Sequence, residues 1–256
     1  MLPKAVLLVA VFAACQYLPT AGADASETLS FQASFTPDKL GAPANLSATA
    51  MFGSTEGAAL SPVTKVTTYG PAGMALDVSG AGTCTASPAV LEARGPNACP
   101  ADSRIGFGKA TGLQELAHER IPGPFTLEFF LAPRQDGRLV ALIYVNGVSP
   151  ASEQLVMVAR EVRAPRPYGL GITFEVPIVP TIPGAPLGWV EHAFVTLGSA
   201  NVAYYRTIHG RRSLFHVKGI VVPKTCPSGG FPLELQVQDA DGSSAAAKAT
   251  IPCPSR

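Results

Sequence analysis

From Glu27 to Phe35 the sequence reads ETLSFQASF, which puts Leu29, Phe31, Ala33 and Phe35 at every second position. A period of two is that of a strand with one buried face. The same pattern returns along the chain, each time bounded by Gly, Pro, Asn or Asp. Asn45–Phe52, Pro62–Tyr69, Met74–Val78 and Arg104–Lys109 read as strands, as do Phe125–Leu131 and Arg138–Val145, the last two joined by a Gln135-Asp136-Gly137 hairpin signal. Further strands are expected at Gln154–Val162, Leu170–Val176, Val190–Leu197, Val202–Ile208 and Leu214–Val222. Leu233–Gln238 and Ala245–Ile251 close the series, joined through Asp239–Gly242.

With 25 Gly and 24 Pro in 256 residues, long helices have little room to form. One short helix fits at Ser87–Arg94, with Ser87 as N-cap, Pro88 at the first helical position and Gly95 placed to end it. Many short strands with frequent turn signals argue for a sandwich or a barrel. We expect an all-β fold, a β-sandwich of immunoglobulin-like or jelly-roll-like type with one short helix near 87–94.

The N-terminus reads as a targeting segment. Lys4 precedes an unbroken apolar run from Ala5 to Cys15, shorter than the roughly 20 residues a membrane span needs but suited to a signal-peptide core. Small-x-small patterns follow at Ala21-Gly22-Ala23 and Ala23-Asp24-Ala25. Residues 1–25 are therefore expected to be a signal peptide and 26–256 one exported β-sandwich region. Two packed β subdomains, 26–115 and 116–256, are the alternative, with joints in Gly112–Pro124 and Val176–Pro186. Phe12-Ala13-Ala14-Cys15 offers a second route, a lipoprotein anchored through Cys15, although Phe12 stands where a lipobox would carry Leu. The expected location is secreted or cell-surface, with no transmembrane helix after signal removal.

Loss of the signal leaves Cys84, Cys99, Cys226 and Cys253. An even number in an exported chain reads as a disulfide framework, for which four cysteines allow three pairings. Cys84 with Cys99 and Cys226 with Cys253 each bracket one local unit, and this is the pairing we expect. No pair has C-x-x-C spacing and no His lies near a Cys, so a zinc site is not expected.

Charged residues make up 14 % of the chain and the net charge is +1, which gives no electrostatic reason to expect nucleic acid as a partner. The G-x-S-x-G elbow is absent. His118-Glu119 begins like H-E-x-x-H, but Pro122 replaces the second His. His192, His209 and His216 lie apart from one another. Asp239-Ala240-Asp241-Gly242-Ser243 opens like a calcium loop and lacks the closing Glu. Glu128, Glu175 and Glu191 lie in strand-like segments, where a sandwich glycosidase would place two opposed carboxylates. No catalytic, metal or cofactor-binding residues are assigned. The segment Arg163-Ala164-Pro165-Arg166-Pro167-Tyr168 sets two Arg and a Tyr on a Pro-stiffened loop, so Arg163, Arg166 and Tyr168 are the candidate binding loop.

Several segments carry a resemblance. Phe35-Thr36-Pro37-Asp38-Lys39-Leu40-Gly41 comes first, followed by Tyr69–Met74 before Gly82-Thr83-Cys84. Ala98-Cys99-Pro100 then leads into Arg104–Ala110, and Pro223–Pro227 is followed by Ala249–Pro254. In that order they resemble uncharacterised exported all-β proteins of high-GC Gram-positive bacteria. The resemblance implies export and β structure, and no activity. The expected function is a non-catalytic secreted or cell-envelope protein with a structural or binding role, its partner a cell-wall polymer or an extracellular protein. A secreted carbohydrate-active or other hydrolase on a β-sandwich is the alternative. Mass-spectrometric sequencing of exported material is expected to find Ser26 at the mature N-terminus; a diacylglyceryl group on Cys15 at the terminus would overturn this.

Overall fold

The computed structural model describes residues 27–54, 59–116, 119–149, 152–178, 187–198, 203–216 and 218–254. The expected signal peptide, Cys15, His118 and the part of the Pro-rich joint at 179–186 lie outside them. The strands in chain order are β1 (Glu27–Thr36), β2 (Pro43–Ser54), β3 (Val63–Pro71) and β4 (Ala75–Asp77). The α-helix α1 (Pro88–Arg94), followed by two short 3-10 turns, precedes β5 (Arg104–Leu116), β6 (Glu119–Gln135), β7 (Arg138–Gly147), β8 (Glu153–Val162) and β9 (Tyr168–Glu175). Then come β10 (Trp189–Leu197), β11 (Ala203–Ile208), β12 (Arg211–His216), β13 (Gly219–Val221), β14 (Phe231–Asp239) and β15 (Ser244–Ile251).

The fold is all-β, as expected, and its layers are continuous with one another. Thirteen strands form one antiparallel sheet in the order β15-β14-β3-β9-β8-β7-β6-β5-β10-β2-β13-β4, with β1 paired to β2. β11 and β12 form a separate hairpin. The large sheet rolls until β1 lies beside β15. Side chains close that seam. Phe35 meets Phe231 edge-on at 5.8 Å between ring centroids, and Ile251 and Val222 pack in the same cluster.

Alternation decides which side chains face inward. β1 turns Thr28, Ser30, Gln32 and Ser34 to solvent and keeps Phe35 buried on the other face. β7 is buried on both faces. Leu139, Ala141, Ile143 and Val145 join the inner cluster, while Val140, Leu142 and Tyr144 meet α1 and Phe130 outside. That double burial is why RLVALIYV reads as a continuous apolar run.

The helix forms where the sequence places it. Ser87 Oγ accepts from Val90 N at 3.4 Å, Pro88 occupies the first turn, and Gly95 (φ 65°) returns its N–H to Leu91 O. Fully buried Leu91 anchors the helix, and Glu92 Oε1 accepts from Val156 N of β8 at 3.0 Å. The Cys84–Cys99 disulfide (Cα–Cα 4.8 Å) lies in the same cluster, so it pins the helix to the sheet. Cys226–Cys253 (Cα–Cα 5.8 Å) ties the outer ends of the β14–β15 hairpin. Both pairings are the expected ones.

Two local expectations change, and the hairpin signal holds. Gly112–Pro124, read as a joint, belongs to the long β5–β6 hairpin. Its prolines are tolerated because β7 begins to pair only at Phe125, which leaves Pro122 and Pro124 bonded to a neighbour on one side only. The strand expected over Leu214–Val222 is two elements, β12 and β13, which belong to different sheets. The Gln135–Gly137 signal makes a two-residue turn, with Asp136 (φ 50°) and Gly137 (φ 75°) both left-handed between paired Gln135 and Arg138.

Replacing Cys84 and Cys99 together by Ser should lower unfolding stability by about 3 kcal/mol, the loop-closure value for a separation of 15 residues. Chemical denaturation of the oxidised wild type beside the double variant checks this.

Candidate functional site

The inner face of the rolled sheet encloses a cavity of about 400 Å³. Its origin lies in an uneven distribution of side-chain size. Ala50 of β2, Ala193 of β10 and Ala110 of β5 are register partners, so three methyl groups stand in one row across three strands. Ala48, on the same face as Ala50, and Gly112, paired with Val190, continue this small-residue wall. The remaining wall carries large residues, among them Phe125, Leu127, Leu155, Met157, Ile172 and Phe174. The Phe125 ring lies across Gly147, where a Cβ would come within 2.5 Å of it.

The two ends differ. Near Gly41 and the Cys226–Cys253 bridge, Phe35, Leu46, Ile220, Val222, Phe231 and Leu233 pack together and fill the interior. Towards the opposite end the lining includes Ser149 on the connection between β7 and β8, Glu153 at the start of β8, and Pro177, Ile178 and Gly188 on the connection between β9 and β10. Exposed Val148 (68 %), Ile178 (42 %) and Leu187 (37 %) lie on the same two connections.

Polar side chains are few along the lining, and two are informative. Gln114, near the tip of the β5–β6 hairpin, is 4 % exposed, and among the described residues neither its Nε2 nor its Oε1 has a hydrogen-bond partner. An amide buried in this way costs about 1–3 kcal/mol relative to a satisfied one. Glu153 is half-buried at the Ser149 end, and burial raises its carboxyl above the ordinary value. Among the described residues no Lys or Arg lines the cavity.

The sequence-derived candidates lie elsewhere. Arg163 and Arg166 are exposed on the β8–β9 connection. Tyr168 begins β9 and is built into the outer wall. Its hydroxyl donates to Glu234 Oε2 at 2.7 Å, and its ring stacks on Tyr69 at 5.5 Å. Gln236 Nε2 donates to the other oxygen of Glu234 at 2.6 Å. Burial, reinforced by the Glu234 hydrogen bond and charge, pushes the Tyr168 hydroxyl up to about 12. The same bond, followed by that from Gln236, holds the Glu234 carboxyl below its usual range. The three proposed anchors are thus two exposed guanidinium groups and one structural tyrosine.

Glu128 lies against Arg104 at 2.7 Å, and Glu175 and Glu191 are exposed. None of the three lines the cavity. In the Asp239–Ser243 turn, Asp241 Oδ1 accepts from Ser243 N at 2.8 Å and from Ser243 Oγ at 2.6 Å, so the turn uses its own oxygens. Among the described residues no group of three His, Cys, Asp or Glu is placed to hold a metal, and no helix is long and apolar enough to cross a membrane.

Sequence reasoning missed the lumen. Its signal was present in the small inward residues of LSATAMF in β2 and FGKATG in β5. Those two strands become a single wall only through β10, which is distant in sequence from both. Comparison with family models, curated proteins and solved structures gives no match for the chain.

Tyr168→Phe should lower stability at pH 7 by about 1.5–3 kcal/mol, the range for a hydrogen bond to a charged group. Because the folded-state Glu234 pKa is depressed, its contribution is complete above the unfolded carboxylate value and is lost as pH falls through the folded one. The difference between variant and wild type should therefore shrink below about pH 4, which urea unfolding at several pH values reads directly.

Proposed function

We propose that the exported chain is a non-catalytic binding protein that holds an apolar small molecule inside its rolled sheet. One observation carries the reading: the interior is an apolar cavity of about 400 Å³, within the range of small-molecule sites. Unfilled space of that size forfeits of order 10 kcal/mol at ~24 cal/mol per Å³, comparable with the whole stability of a typical domain. A bound apolar molecule recovers much of that loss. Two disulfides fit an oxidising compartment. The signal-like N-terminus and the resemblance to exported proteins support a secreted or cell-surface location. The lumen is a better candidate than the Arg163–Tyr168 loop, since it offers concave apolar area whereas Tyr168 is occupied by Glu234.

The test is uptake of the neutral dye N-phenyl-1-naphthylamine, whose fluorescence rises in apolar surroundings. Wild-type protein should bind it saturably. Ala193→Phe and Ala50→Leu extend side chains into the small-residue wall and should each weaken dye binding by about tenfold or more. Neither should lower the thermal midpoint, because each fills existing space. Dye binding unchanged in both variants would overturn the reading.

A further inference from the structure

We infer that the lumen selects an amphiphile, an apolar chain bearing a neutral head group that donates and accepts hydrogen bonds side by side, and that Gln114 reads this head group. The inference rests on the proposed lumen and deepens it. Gln114 is the lining residue whose polar atoms are buried and unpaired together, the Nε2 donor and the Oε1 acceptor alike. Buried polar groups are almost always satisfied in folded proteins, so an amide with both ends open among the described residues is placed to receive a bound ligand's donor and acceptor. Its position specifies where that ligand sits. Gln114 lies on the inward face of β5 with Ala110 and Gly112, opposite Ile121 of β6, beyond the level at which β7 begins to pair. The head group is therefore held at the Ser149 and Gly188 end of the lumen, and the chain runs past the small-residue wall towards the packed end near Phe35 and Phe231.

The electrostatics choose the kind of head group. No Lys or Arg among the described residues lines the cavity, and Glu153 is the carboxylate among them that does. An anionic head would enter an apolar space without a counter-charge and beside a carboxyl group. A primary carboxamide or an undissociated carboxylic acid presents one donor and one acceptor in a plane, the complement of the glutamine amide. An ester can only accept. A site that hydrogen-bonds a polar group rejects an analogue that leaves the site's own groups unpaired.

Displacement of N-phenyl-1-naphthylamine by decanamide, methyl decanoate and decanoate at pH 7 tests this. Wild-type protein should bind decanamide about tenfold or more tightly than either of the others. Gln114→Leu should abolish that preference while retaining dye and ester binding within about twofold. It should also raise the thermal midpoint of the ligand-free protein, because an unsatisfied amide is removed; a glutamine bonded within the fold would give the opposite shift. Equal binding of amide and ester by wild type, or an amide preference that survives Gln114→Leu, would overturn the inference and leave the lumen standing. Failure of wild type to take up the dye would overturn both. If the variant does not fold, the wild-type comparison of amide with ester still decides.

Discussion

Closure of this sheet depends on where β10 goes. Trp189–Leu197 inserts between β2 and β5, bonding to Met51–Leu46 on one side and to Leu113–Gly106 on the other. From β5 to β9 each strand follows its predecessor by a hairpin or a short connection and pairs with it. That run alone would leave an open, twisted sheet with two bare edges. β10 joins its β5 edge to the N-terminal β1–β2 pair, while β3 joins its β9 edge to the C-terminal hairpin through β14. The two chain-terminal hairpins then meet, and Phe35 packs on Phe231. Nearly every lumen contact follows from those non-local pairings, and contacts of that kind are the slowest to form and the hardest to infer from local pattern.

This division explains what the sequence made legible. Strand positions followed from period-two alternation, because a residue's inward or outward direction is a local property of the backbone. The α1 boundaries were legible for the same reason: Ser87, Pro88 and Gly95 act within one turn. Both disulfides were legible because each closes a local unit. Sheet order was not, since nothing in WVEHAFVTL records that it lies between LSATAMF and FGKATGL. A sandwich and a rolled sheet share the same alternation, and only long-range pairing separates them. Pro122 and Pro124 misled for a related reason. Proline reads as a break when both sides of a strand are assumed to be bonded, and here one side is free.

The lumen was illegible at a second level. Alanine at an inward position is compatible with a tight core and with empty space, and which applies depends on what faces it. Ala50, Ala193 and Ala110 make room only because they fall in one row. Gln114 gave no signal either. Along the sequence it is one polar residue between Leu113 and Glu115, as expected near a hairpin tip. It becomes informative only when the structure buries it and leaves its amide unpaired.

The fold also has to protect the backbone groups that rolling leaves bare. β8 shares only three register pairs with β9, from Arg160 to Val162, so among the described residues its earlier positions face no strand on that side. An unpaired edge of this kind is a template for unwanted strand addition. The helix occupies that place. Glu92 accepts the Val156 N–H that a neighbouring strand would have taken, and Leu91 packs into the outer cluster with Val156 and Tyr144. The Cys84–Cys99 bridge holds the helix there covalently. At the β1–β15 seam a different device serves, with aromatic and aliphatic side chains in place of ladder bonds and with Lys248 exposed on the outer strand. The polarity of the wall agrees with this arrangement. Thr28, Ser30, Gln32 and Ser34 of β1 face outward and apolar side chains face inward, so the strand beside the seam meets water with polar groups, while β7, far from the seam, needs the helix to cover its apolar outer face.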